Sequence, residues 1–371
     1  MKSNLIILGV NHAYQLVSRD CQPAVYRAFF DRVNPDLIGI QRTPEKYARM
    51  DLQEYAYEQK EIILPYALEK SVPIFPFDWN ASSNDQLLAY GINDSDQPAF
   101  FRGENSLKKF TFFSNLQEDF FYSERKEVIK QNNEWIQTKS SGEKDFARRL
   151  FQYRTYMQAM SIKSIVDSHP GKTILIIVEH KHKVDIESIL SNNAFLEIIQ
   201  PSKFGYPTNE EISQHKEVND AYAVCSFNIL GLQANHEIDM KWVEENLDTL
   251  REHDYTSEVK LLEVKLELLK GTITDTEAIK RYIELEKGLN YYQRFTYTGV
   301  KDKSRIDSYF DPFGNLSVKN RLRVELGKSF YNIKQQDKVQ VLKEEILSMS
   351  SLTIFQEKQL EAYWNMYIST V

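Results

Sequence analysis

Hydrophobic positions along the chain follow two regimes. As far as about residue 205, short and almost wholly apolar runs alternate with stretches whose apolar residues recur every three or four positions. The runs at 5–10, 36–40, 73–77, 173–178 and 196–199 have the length and composition of strands buried on both faces, as parallel sheets require. The intervening pattern predicts helices at 23–33, with Ala24, Ala28 and Phe29 on one face, and at 51–70, kinked or broken at Pro65. It predicts others at 106–135, at 146–167 (ended by Pro170-Gly171) and at 185–190. Pro73 and Pro76 place the third strand at an edge or a strand end. Strands separated by amphipathic helices predict an α/β fold with a mainly parallel central sheet flanked by helices.

The second regime begins near residue 209 and is helical, with segments predicted at 242–251, 256–269, 275–289, 318–331, 338–348 and 355–368. Thr274, three residues before Glu277, fits a capping box. The chain therefore reads as an α/β domain over 1–205 and an α-helical C-terminal region over 206–371. The second is either a separate domain or a cover for one side of the sheet. Within the first, residues 80–105 are rich in Ser, Asn, Asp and Gly and read as a long loop or lid, a length uncommon unless functional or disordered. Residues 137–143 read as a polar linker.

Composition narrows the function classes. With 42% hydrophobic and 27% charged residues the chain is expected to fold as a globular protein. A formal net charge of -7 and a pI near 5.7 argue against general nucleic-acid binding, which calls for a basic face. Two cysteines, Cys21 and Cys225, cannot build a disulfide framework or a Cys-rich zinc site. No signal-peptide pattern precedes the first strand, and no apolar run nears the roughly 20 residues of a membrane helix. The expectation is a cytoplasmic protein with no membrane partner. Oligomeric state is not legible.

The candidate chemistry sits just past the strands, where open α/β sheets bind ligands. Gly9-Val10-Asn11-His12 follows the first strand, and Glu179-His180-Lys181-His182 follows the fourth. If the chain stays extended there, Glu179 and Lys181 face one way and His180 and His182 the other. Asp78 follows the third strand. His12, Asp78 and His182 could hold one divalent metal ion, with Glu179 as a supporting group or general base. The plainer readings are solvated strand ends and an Asp that caps the next segment. Glu58 and Arg154 fall on predicted helices. Each is either half of an ion pair or part of the cleft, where Arg154 would bind a carboxylate, a phosphate or a developing oxyanion. There is no Walker A motif, no Gly-x-Ser-x-Gly elbow and no His-Glu-x-x-His helix. Cys21 has no catalytic context, His169 reads as a helix-end residue, and His215, His236 and His253 show no usable spacing.

In order and spacing these pieces resemble the Tiki/TraB superfamily, which includes Tiki-type metalloproteases, TraB/PrgY-type proteins, erythromycin esterases and ChaN-type iron or haem binders. Gly9-Val10-Asn11-His12 matches its first-strand Gly-x-x-His, and Pro35-Asp36-Leu37-Ile38-Gly39-Ile40 its Pro-Asp-apolar strand. Arg154-Thr155-Tyr156-Met157 matches its Arg-x-x-Met helix, and Val178-Glu179-His180-Lys181-His182 its last strand, with His182 as the second histidine. Glu58 and Asp78 fall where such proteins carry acids. The resemblance covers roughly residues 1–200 and implies a metal-assisted hydrolase of a peptide, ester or other acyl bond, acting on a small-molecule or peptide substrate. His12, Asp78 and His182 would be ligands, Glu58 or Glu179 the proton acceptor, and Arg154 the stabiliser of negative charge. A metal-free variant would use His12 as the base. One departure stands out: the strand that often ends in Glu ends here at Gln41, and a neutral amide is neither a base nor an anionic ligand. A non-catalytic ligand-, haem- or partner-binding protein on the same scaffold is the alternative. An interaction protein acting through the acidic helical half is a third.

Overall fold

The first strand, β1 (Ser3–Val10), buries nearly every side chain because both faces of the sheet around it are covered. The structure is a computed structural model that describes residues 2–90, 116, 118–137, 143–349 and 351–369. Its described residues divide into two compact units, one made of 2–90 and 118–216, the other of 116 and 217–369.

The first unit holds a five-stranded, all-parallel sheet in the order β3-β2-β4-β1-β5, completed by β2 (Leu37–Ile40), β3 (Ile74–Pro76), β4 (Thr173–Glu179) and β5 (Leu196–Ile198). The five apolar runs all form strands. The proline-flanked β3 lies at the edge, where a missing ladder donor does least harm. Leu5, Ile7, Ile174, Ile176 and Val178 face Ala159, Ile162 and Val166 of the helix Glu143–Ser168 in one apolar cluster. Gly39 makes room in that layer, since a Cβ there would lie 2.3 Å from Cδ1 of Ile176 and force that side chain to shift.

Several local expectations are corrected. The helix expected over 51–70 begins only near residue 57, with a π-helical segment Glu58–Ile63 that passes into an α-helix Leu64–Lys70. Pro65 explains the wide turn: it has no N–H to give the Glu61 carbonyl. Nη2 of Arg27 supplies that hydrogen bond instead, at 3.1 Å. Part of the expected 80–105 loop is the helix Ser83–Tyr90, and its remainder lies outside the described residues. Of the helix expected over 106–135, the described part is helical only from the short turn Tyr122–Glu124 and the helix Lys126–Gln137. Most of the expected linker also lies outside the described residues. The helix expected at 185–190 starts at His180.

The second unit is helical, as expected. It contains Met240–His253, Ser257–Leu269, Asp275–Glu286, Val318–Asn332, Gln336–Met349 and Ile354–Ser369, preceded by Val218–Cys225. Thr274 accepts from the Glu277 N–H, the forward half of the expected capping box. The complete box forms at Thr208 and Glu211, in the first unit. The second unit buries charge at its centre. Arg321 pairs with Glu325 and Asp311, Lys265 lies 2.6 Å from Glu325, and the Tyr367 hydroxyl donates to Glu325. No described helix is long and apolar enough to cross a membrane.

Candidate active site

At the carboxyl edge of the sheet the strand order β3-β2-β4-β1 sets the lateral order of the residues past each strand. Asp78 comes first, then Gln41, Glu179 and His12. The polar run of these four residues is therefore a consequence of the topology, and it sits where parallel sheets place their ligand crevices.

His12 is held by a turn that costs backbone energy. Ala13, which follows it, is buried and adopts φ +62°, a left-handed conformation that non-glycine residues rarely occupy. The chain then enters the short helix Tyr14–Leu16. Nδ1 of His12 lies 2.6 Å from Oε1 of Glu58, which is fully buried. A carboxylate only accepts, so Nδ1 carries the proton and Nε2 is left as the working nitrogen. Burial disfavours the imidazolium, but the charge and hydrogen bond of Glu58 outweigh it, and His12 titrates above its ordinary value. Tyr55 packs edge-on against the imidazole, with ring centres 5.2 Å apart.

The long helix Glu143–Ser168 turns one face toward the strand ends. Phe151, Arg154, Thr155 and Gln158 stand at i, i+3, i+4 and i+7 and so share that face. Arg154 grips Asp78 with two hydrogen bonds, Nε to Oδ1 at 2.9 Å and Nη2 to Oδ2 at 2.6 Å. Oδ1 also accepts from Nε2 of Gln158 at 2.7 Å and from the Trp79 N–H at 2.9 Å. Burial works against the Asp78 charge, yet Arg154 and Gln158 hold its carboxyl below the usual range. Its charge is thus balanced by Arg154, and its place here is to fix that guanidinium. Nη1 of Arg154 has no hydrogen-bond partner among the described residues.

His182 belongs to the helix His180–Leu190, not to an extended segment, so it does not share a face with His180 as the alternating pattern had suggested. Its imidazole is fully buried, stacked on Phe151 at 4.3 Å, with Nδ1 2.6 Å from the Thr155 hydroxyl. Nε2 has no hydrogen-bond partner and lies 3.9 Å from Oε2 of Glu179. Burial depresses the pKa of His182 to about 4. His180 is depressed to about 4 as well, again by burial, and its ring packs against Tyr122. Glu179 closes β4 and precedes the helix His180–Leu190. Burial opposes its charge, but His182, Lys181, His12 and Arg154 together bring it down to about 2.

All six residues singled out from sequence are joined by contact or charge. His12 meets Glu58, Arg154 meets Asp78, and Glu179 feels His12, His182 and Arg154. His182 joins through Glu179 but sits behind it, out of reach of solvent. Only His12, Arg154 and Glu179 keep partial exposure, with 14%, 27% and 26% of their side-chain surface open. Among the described residues no group of three or more His, Cys, Asp or Glu side chains is placed to hold a metal ion. The residues that sequence reasoning missed are Thr155, Gln158 and Gln59. The first two complete the i, i+3, i+4, i+7 stripe with Phe151 and Arg154, a signal present in the sequence. Gln59 gives its amide to the Gln41 carbonyl at 3.1 Å. Compared with known proteins, the chain matches no protein family, no curated protein and no solved structure.

Proposed function

We propose that the first unit is a hydrolase of an ester, peptide or other acyl bond, built on a scaffold of the Tiki/TraB kind, with His12 as general base. The observation that carries this reading is the 2.6 Å contact between buried Glu58 and Nδ1 of His12. It is the arrangement a catalytic base needs: one ring nitrogen oriented by a carboxylate, the other free for a proton. Nε2 takes a proton from water as that water attacks the acyl carbon. Glu58 stabilises the imidazolium that forms. The guanidinium of Arg154, held rigid by Asp78 and Gln158, offers Nη1 to the oxygen that gains negative charge. His12 then returns its proton to the leaving group.

The test is a panel of acyl esters and short peptides with wild type, His12→Ala and Glu58→Gln. Turnover lost in His12→Ala and reduced roughly 10²–10⁴-fold in Glu58→Gln is the expected result. Equal rates in all three proteins on every substrate would remove the hydrolase reading and favour a non-catalytic binder on the same scaffold.

A second reading retains a divalent ion, and the observation in its favour is the unpartnered, buried Nε2 of His182. Asp78 fits a ligand role poorly, because Oδ1 already accepts three hydrogen bonds and Arg154 balances its charge. Elemental analysis of untagged protein beside a His12→Ala/His182→Ala variant decides it: about one ion per chain, lost in the variant, is required.

A further inference from the structure

Gln41 occupies the centre of the strand-end row, where proteins of similar pattern often carry an acid. Its backbone is the first beyond β2, whose last residue is Ile40. Its side chain continues the sheet: Oε1 accepts the backbone N–H of Glu179 at 2.6 Å, one step past the β2–β4 ladder. That bond fixes which way the amide points, because a backbone N–H can meet only the oxygen end. Nε2 must therefore face away from β4. The residue is 3% exposed, and its amide nitrogen has no hydrogen-bond partner among the described residues. Nor does that nitrogen belong to the fully enclosed, unpaired polar atoms of the described residues, such as Oε2 of Glu58, Oε1 of Gln59 and Oε1 of Gln158. It thus reaches accessible space. Arg154 is bonded to Asp78 on one side of β2 and acts electrostatically on Glu179 on the other. In the strand order Gln41 therefore lies between Asp78, which holds that guanidinium, and Glu179.

We propose that the Gln41 amide is a substrate-contacting donor, which with Nη1 of Arg154 binds the acyl oxygen of the substrate and the negative charge that develops on it. The inference rests on the hydrolase reading for its substrate class. A glutamate at this position could also accept the Glu179 N–H, but it has nothing to donate. The amide keeps the structural bond and adds an electropositive group fixed at its far end, as an oxyanion site requires. The departure from an acid is then a change of chemical role at one position.

The experiment uses uniformly ¹⁵N-labelled full-length protein, titrated with benzoate as the probe, beside Gln41→Glu, a variant that keeps the acceptor and removes the donor. The amide pair absent from the Gln41→Glu spectrum identifies Gln41. The expected result is saturable movement of that pair in wild type, with binding weakened at least tenfold in Gln41→Glu and an unchanged pattern for residues 173–178. Benzoate that fails to bind saturably, binds without moving that pair, or binds Gln41→Glu as tightly overturns the proposal. Hydrolysis of p-nitrophenyl acetate by the same samples separates the two readings. Turnover that needs His12 while the amide stays still removes Gln41 alone. A moving amide with no His12-dependent turnover removes the hydrolase and leaves the donor.

Discussion

Oε1 of Glu58 lies 2.6 Å from Nδ1 of His12, across 46 residues of sequence, and the carboxylate is wholly buried while the imidazole keeps an edge in solvent. The pairing raises the His12 pKa above its ordinary 6.5. A general base works when neutral, so activity should be absent at low pH and rise as pH climbs through that raised value. Glu58→Gln removes the two largest causes that raise it and leaves only the charge of Glu179 against burial and Arg154, which lower it. The acid limb of a kcat/KM–pH profile should then move down in pH, while the plateau falls because the imidazolium loses its partner. A limb that stays in place, or moves up, contradicts the assignment.

Asp78 and Arg154 should behave as a unit of unequal halves. Arg154→Ala strands a buried carboxylate, so an equilibrium unfolding experiment should show a loss of about 3–5 kcal/mol. Asp78→Asn leaves a guanidinium with 27% of its surface open, and the cost should be smaller. In turnover the order reverses in kind. Arg154→Lys should lower kcat far more than it raises KM, because a lysine cannot keep two bonds to Asp78 while offering a third donor. A change confined to KM would mean that Arg154 only binds the ground state.

Much of this arrangement is legible in the sequence because strand ends announce themselves. The uninterrupted apolar run Ile174–Val178 is too short for a helix, and whatever follows it lands at the carboxyl edge. That logic locates His12, Asp78 and Glu179 from pattern alone. His182 escapes it. Between Glu179 and Val184 there is no apolar residue to set a helical period, so alternation looks as good as a helix, and only the fold shows the chain turning at His180. Gln41 is legible in the sequence only as a missing acid. An amide has no pKa, and its value comes from the Glu179 N–H that fixes its orientation, a contact 138 residues away. The π-helical segment that brings Glu58 and Gln59 inward together was visible only as a proline in the wrong place, since the Arg27 bond that relieves it is tertiary.

His182 should make the protein sensitive to mild acid. Its folded pKa of about 4 lies below the 6.5 of an unfolded histidine, so the unfolded chain binds more protons between those values. Stability is therefore complete above about pH 6.5 and declines as pH falls toward 4, by on the order of 3 kcal/mol from this residue. Glu179 adds a loss only at lower pH, as its carboxylate is protonated below the usual range. His182→Phe keeps the ring stacked on Phe151 and cannot titrate. Urea midpoints measured at pH 7 and pH 4.5 should fall less for this variant than for wild type. An equal fall in both would place the acid sensitivity elsewhere.

In the helical unit the burial of Glu325 against Arg321 and Lys265 sets up a contrast between two substitutions. Both cations are almost wholly shielded, and Glu325 is the acid shared between them. Glu325→Ala leaves two buried positive charges facing each other, with only Asp311 left near Arg321, and should cost about 3–5 kcal/mol. The triple variant Lys265→Met/Arg321→Met/Glu325→Leu removes the shared acid and both cations with their desolvation. It should recover part of that loss, because apolar groups of similar volume need no partner, while Asp311 keeps a carboxylate that Arg321 no longer balances and the Tyr367 hydroxyl loses its acceptor. Thermal unfolding of the two proteins beside wild type gives the answer. A triple variant less stable than Glu325→Ala would mean that the cluster contributes net attraction as well as specificity.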